Sequence, residues 1–184
     1  MLVHYLLLVQ FAAALKMNEK YYPEVPLVPT EKQIKEMGGG NGTTYIRLRI
    51  REIPPKGYTN EIKKAAPLVI KLEADCNLAL AVVVNPQKKR ITFEWKAEDD
   101  ERSWVAASKL IEQQAPAQTD YTDFEIKIGL FYMEYRAQYF TLFVNGKQYA
   151  QISANIELRR INTISVMSIN PHYEIKEFEV IYPT

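Results

Sequence analysis

Side chains able to do covalent or metal chemistry are few in this chain. His4, His172 and Cys76 are the only histidines and cysteine among its 184 residues. His4 opens an apolar stretch and His172 stands beside Pro171 in a hairpin-like loop, so a serine or cysteine triad and a histidine metal site both lack parts. The acidic residues mostly alternate outward along strand-like segments or crowd into Glu98-Asp99-Asp100-Glu101. That is not the facing pair, about 5 Å apart, of a retaining glycosidase. Gly38-Gly39-Gly40 lacks the strand-to-helix setting and the Lys-Ser/Thr of a phosphate-cradling loop. No enzyme, cofactor or metal is expected. The chemistry left is non-covalent. Trp104 follows a charged run and reads either as an exposed ring able to stack on a ligand or as a Trp packed over a sheet edge. Asn85-Pro86 reads as a binding amide or, more simply, as a turn closing a strand. Arg47, Arg49 and Arg51 could meet a sulfated or acidic partner, or merely keep a sheet face soluble.

Positioning such groups calls for a scaffold, and the composition points to strands. Twelve Tyr and seven Phe, with many Val and Ile, suit pleated, half-buried surfaces. A chain this long buries about 70% of its unfolded surface and needs neither disulfide nor metal. Its net charge of +1 offers little long-range attraction for nucleic acid or anionic membrane.

From Thr43 onward the dominant period is two. Ile46, Leu48 and Ile50 alternate with the three arginines; Leu68, Ile70 and Leu72 alternate with Val69, Lys71 and Glu73; Ile91, Phe93 and Trp95 alternate with Thr92, Glu94 and Lys96. Leu78 to Val84 is continuously apolar, as in a central strand covered on both sides or one whose outer face meets a partner. Phe124, Ile126 and Ile128 form another alternating set. Phe140 to Val144 leads into Asn145-Gly146, a two-residue hairpin signal that predicts an antiparallel return over Lys147 to Ile152. Ile161 to Ile169 and Ile175 to Tyr182 add two more strands. Many short strands without long amphipathic helices predict an all-β fold, a two-sheet antiparallel sandwich or jelly roll.

The amino terminus reads differently. Leu6 to Ala14 is too short to span a bilayer, and its Ala12-x-Ala14 ending fits a secretory signal cleaved after Ala14, with a buried or surface amphipathic helix as the alternative. Asn41-Gly42-Thr43 is a sequon, so Asn41 is a glycosylation site if the chain is exported. Pro23, Pro26, Pro29 and the three glycines make residues 15–42 a linker with no packed core before Thr43. The expected organisation is a signal over 1–14, that linker, and one sandwich domain over 43–184.

The order Phe124-Glu-Ile-Lys-Ile, Phe140-Thr-Leu-Phe-Val-Asn145-Gly146-Lys147, Ile164-Ser-Val-Met and Phe178-Glu-Val resembles the carboxy-terminal half of the galectin family. Pro67 to Leu72 followed by Leu78 to Pro86 resembles the strand pair leading into that family's sugar-binding sheet. The resemblance covers about Thr43 to Tyr182 and implies a galectin or concanavalin A-like jelly roll.

Galectins hold β-galactosides with His-x-Asn-Pro-Arg, Val-x-Asn and Trp-x-x-Glu-x-Arg on adjacent strands. Here Val83-Val84-Asn85-Pro86-Gln87 occupies the first motif, keeping Asn85 and Pro86 while Val83 replaces the His and Gln87 the Arg. Ile91-Thr92-Phe93-Glu94 is nearest the second, with Glu94 for the Asn. Trp104 matches the stacking ring of the third, followed by Ala107 for the Glu and Lys109 for the Arg. Trp95-x-x-Glu98 imitates the third motif but follows Asn85 too closely to lie on the next strand but one. At least two charge-assisted contacts, each contributing ~1.5–3 kcal/mol, are missing, against about 4 kcal/mol for millimolar binding. Lys109 does not reproduce a planar Arg fork. The resemblance therefore implies a secreted lectin with altered or weakened β-galactoside specificity, using Asn85, Gln87, Glu94, Trp104 and Lys109, or a protein-interaction module that has lost its sugar site. Its partners would be glycans or glycoproteins, membranes only through glycoconjugates, a protein, or a second copy in a homodimer, and not nucleic acid.

Overall fold

Side-chain alternation builds two sheets. The computed structural model describes residues 10–12, 15–28, 30, 32, 43–53, 67–75, 77–85, 90–95, 109–114, 121–130, 138–154, 158–168 and 173–182. The strands are β1 (Gln10–Ala12), β2 (Lys20–Tyr21), β3 (Thr43–Glu52), β4 (Leu68–Ala74), β5 (Asn77–Asn85), β6 (Arg90–Trp95), β7 (Lys109–Gln114), β8 (Thr122–Leu130), β9 (Gln138–Val144), β10 (Lys147–Ser153), β11 (Ile161–Ser168) and β12 (Tyr173–Ile181). One 3-10 turn, Leu158–Arg160, precedes β11. The first sheet runs β1-β12-β3-β8-β9-β10 and the second β2-β11-β4-β5-β6-β7. Every neighbouring pair is antiparallel.

The alternating sets read from the sequence become the two inner faces. Ile46, Leu48 and Ile50 of β3, Phe124, Ile126 and Ile128 of β8, and Phe140, Leu142 and Val144 of β9 share one core with Leu68, Ile70 and Leu72 of β4, Leu80 and Val82 of β5, and Ile91 and Phe93 of β6. Burying each such side chain contributes about 1.5–3 kcal/mol, so hydrophobic transfer dominates the fold. The continuously apolar β5 lies between β4 and β6, as a central strand should.

The β9–β10 hairpin turns at Asn145 (φ 49°) and Gly146 (φ 74°), the left-handed pair its two-residue turn requires. The turn is anchored to β8: Asn145 N donates to Asp123 O at 2.8 Å, and Asp123 N donates to Asn145 Oδ1 at 2.9 Å. Gly129 of β8 lies opposite Tyr139 of β9, whose ring fills the space that a side chain at 129 would occupy.

The amino-terminal segment departs from the expected linker. Leu15, Leu27 and Val28 are buried members of the core, with 6%, 0% and 2% exposure. β1 pairs with β12 and β2 with β11, so this segment borders both sheets at one side of the sandwich. Asn18, at φ 64°, donates its N–H to Val166 O at 2.8 Å and accepts from Ser168 N at 2.9 Å through Oδ1. Thr44 Oγ1 donates to Leu27 O, and the Tyr21 ring meets Phe178 edge-on, centroids 5.0 Å apart. The physical reason is that prolines forbid long ladders but not short ones. β2 has two residues and ends before Pro23, and the apolar pair after Pro26 turns inward. Of the stretch 31–42 only Lys32 is described, as helical; Asn41 lies outside the described residues.

Candidate functional site

The candidate surface is the outward face of the second sheet, and the register shows which side chains share it. On β6, Ile91 and Phe93 are fully buried, whereas Thr92 is half-buried and Arg90 exposed. Because facing residues of an antiparallel pair lie on the same side, Asn85 with Arg90 and Val83 with Thr92 make two outward rows. By register the first runs on to Gln114 and the second to Glu112 of β7, and Glu94 stands opposite Ala81, which is buried at 2% exposure. The Val83–Thr92 row continues onto β4 and β11 through Val69 and Met167.

Among the residues expected to bind, Asn85 is the last residue of β5 and half-buried on this face. Glu94 belongs by register to the same alternate set. It lies two rows from the Asn85–Arg90 pair, which is about 13 Å along the strand and more than one sugar ring spans. Lys109 is the first residue of β7 and pairs with Trp95. That puts Lys109 in the alternate set of Phe93, not that of Glu94, so the register does not gather it with Asn85. Trp95 lies on β6, adjacent to β5, which excludes it from the next strand but one. Gln87 and Trp104 lie outside the described residues, as do Pro86 and Ala107.

Two polar residues that motif matching passed over belong to this surface: Arg90, directly opposite Asn85, and Thr92, opposite Val83. Counting alternate positions outward from Ile91 and Phe93 identifies both. Val83 occupies the motif's histidine position, but with apolar chemistry on an outward site.

The other sheet's outward face holds a groove of about 420 Å³, lined among others by Arg47, Arg49, Asp123, Glu125, Phe143 and Glu177. Here the arginine stripe meets carboxylates from both adjacent strands. Arg47 Nε donates to Glu125 at 2.6 Å; Arg49 donates to Asp123 at 2.8 Å and to Glu177 at 3.0 Å; Arg51 donates to Glu174 at 2.9 Å. Lys176 Nζ donates to the same Glu174 at 2.6 Å. The hydrogen bond and charge of Asp123, then Glu177, raise the Arg49 pKa above its ordinary value. Lys176 first, with Arg51, holds Glu174 below its own, against a smaller desolvation effect. An arriving sulfate would have to displace these carboxylates. The reading of the stripe as an anion-binding surface is therefore corrected: the arginines cross-link β3 to β8 and β12. Arg47 and Lys127 also flank the Tyr45 ring, at 5.6 and 5.9 Å from its centroid.

No protein-family model matches the chain, and no curated protein sequence matches it. Solved structures do. Sheep galectin-11, solved in complex with glycerol, aligns over 75% of this chain and 88% of its own at 12% identity and a TM-score of 0.53. The Caenorhabditis elegans galectin LEC-6 aligns over 88% of this chain and 94% of its own at 13% identity and the same TM-score, 0.53. The two-sheet order and these alignments agree on the architecture, and the chain has a divergent galectin-like fold.

Proposed function

We propose that this protein is a carbohydrate-binding lectin, not an enzyme, whose ligand lies on the outward face of β5 and β6, with specificity moved away from simple β-galactosides. The observation that carries the reading is the Asn85–Arg90 register pair, which puts an amide and a guanidinium on facing positions at the end of β5. Such planar polar groups serve the paired hydroxyls of a sugar. The galectin-like fold, and the binding of the polyol glycerol by the sheep protein's crystal form, support the same reading. Asn85, Arg90 and Thr92 make the hydrogen bonds; Trp104 supplies the stacking ring, with Gln87 and Glu94 contacting a second residue of the glycan. In this reading the chain is secreted after removal of residues 1–14, carries a glycan on Asn41, and meets membranes only through glycoconjugates.

A glycan array with the wild type and Asn85→Ala tests this. Selective binding that falls a few-fold to about tenfold in the variant, the scale of one neutral hydrogen bond, is the expected result. Retention on a galactoside column with lactose elution would refute the altered specificity. Val83 favours a second reading, a protein-interaction module, because its apolar side chain stands where a sugar hydroxyl would need a donor. Silence on every glycan would establish the second reading only together with a protein partner retained by Trp104→Ala.

A further inference from the structure

The groove on the first sheet carries more negative charge than its arginines balance. Four carboxylates, those of Asp123, Glu125, Glu177 and Glu179, line it against the guanidinium groups of Arg47 and Arg49, in a chain whose net charge is +1. Three of the four are taken: Glu125 by Arg47, and Asp123 and Glu177 by Arg49. Glu179 is the register partner of Arg47, but Arg47 turns to Glu125, and the Glu179 carboxylate makes no hydrogen bond or ion pair with any described residue. The surrounding cations are committed elsewhere. Arg51 and Lys176 share Glu174, while Lys127 and Lys147 sit over the Tyr45 and Tyr149 rings. At the far end of the same row stands Phe143, an aromatic side chain half-buried on an outward face. Neighbouring strands are about 4.8 Å apart, so the row Glu179–Arg47–Glu125–Phe143 sets its free carboxylate and its ring on positions roughly 14 Å apart.

We propose that this groove docks an extended basic segment of a partner protein, whose Lys or Arg pairs with Glu179 and whose apolar side chain four residues away covers Phe143. Charge and length choose this occupant. The excess of carboxylates repels an anion, and a small cation would use Glu179 but leave the ring at the other end bare. An extended chain rises about 3.3 Å per residue and points every second side chain to one face, so its residues i and i+4 lie about 13 Å apart on one side and match both ends of the row. The residue midway meets the Arg47–Glu125 pair, where a polar side chain fits.

Immobilised, end-capped Ser/Gly peptides, each carrying one Arg and one Leu separated by one to six positions in either order, test this at low salt. The wild type is expected to prefer the separation of four, and Glu179→Gln to bind that peptide about threefold more weakly or worse, the strong end of an exposed ion pair. Glu19→Gln removes the same charge from an exposed site on another part of the chain and should leave binding unchanged. Phe143→Thr should erase the advantage of Leu over Ser while keeping that of Arg; Asn85→Ala, on the other sheet, should alter neither. Thermal melts of each variant confirm folding. Binding without a preferred spacing, no binding at all, or equal losses in Glu179→Gln and Glu19→Gln would overturn the proposal. So would spermidine competing as well as the best peptide, which would assign the groove to a small cation, or a concentration-dependent dimer lost in Glu179→Gln, which would assign it to a second copy.

Discussion

Tyr182 illustrates how one side chain links the amino-terminal segment to the core. Its hydroxyl donates to Val25 O at 3.4 Å, and burial, with Tyr21 and Glu24 nearby, pushes its pKa up to about 12. The fold thus favours the neutral phenol. By linkage, that contribution is intact below the ordinary value of 10.0 and is lost as pH rises through about 12. Melting temperature should therefore drop over this alkaline interval, and less so in Tyr182→Phe; an absorbance titration of the variant should lose the phenol that ionises at about 12. Ser165 makes a contrasting case. Its hydroxyl is buried without a hydrogen-bond partner among the described residues, so Ser165→Ala should be neutral or stabilising by up to about 1 kcal/mol in urea unfolding, since nothing is left unpaired. Arg49 has two carboxylate partners but an exposed setting, 42% for its side chain. Arg49→Ala should therefore lower the urea midpoint only slightly, and less still at high salt, as exposed ion pairs do.

Among the elements, β8 and β9 depend on a fitted pair. Gly129→Ala brings a methyl against the phenol end of the Tyr139 side chain, which has to swing aside, so its cost in equilibrium unfolding should fall below the ~1–3 kcal/mol of overpacking a rigid core. Gly129→Ala combined with Tyr139→Ala should recover part of that loss, as coupled neighbours do. At the hairpin, Asn145→Ala loses both the left-handed preference and the bond from Asp123 N, an expected cost of about 1–2 kcal/mol. Elements of this kind were legible from sequence wherever one face is buried: the inward sets of β3, β4, β6 and β8 repeat every second residue, and Asn145-Gly146 admits little but a tight turn. The amino-terminal segment was not legible, because Leu15, Leu27 and Val28 follow no period and the prolines around the last two suggest an excluded chain. The arginine ladder escaped for another reason. Its carboxylate partners lie 74 to 128 residues away, so only strand order brings them together. At the site, the motif comparison found Asn85, but Arg90 became visible only once the β5–β6 register set it opposite.

For the whole molecule, the segment from Leu15 to Val28 acts as a third contributor to the core beside the two sheets. Deleting residues 1–14 removes β1 but keeps Leu15, and a cooperative melt should persist. Deleting residues 1–28 also removes three buried apolar side chains at about 1.5–3 kcal/mol each, comparable with the whole stability of an ordinary domain. That longer truncation should lose its cooperative transition in calorimetry. The pairing partners of this segment carry one more consequence. β1 pairs with Glu179 to Ile181 and β2 with Ile164 and Ser165, so strands early in the sequence pair with strands late in it. During synthesis, residues 10–21 have to wait until residues 161–181 have emerged before their pairing partners exist. A nascent chain arrested before Ile161 should accordingly leave residues 10–28 open to protease, while the folded domain shields Leu27 and Val28.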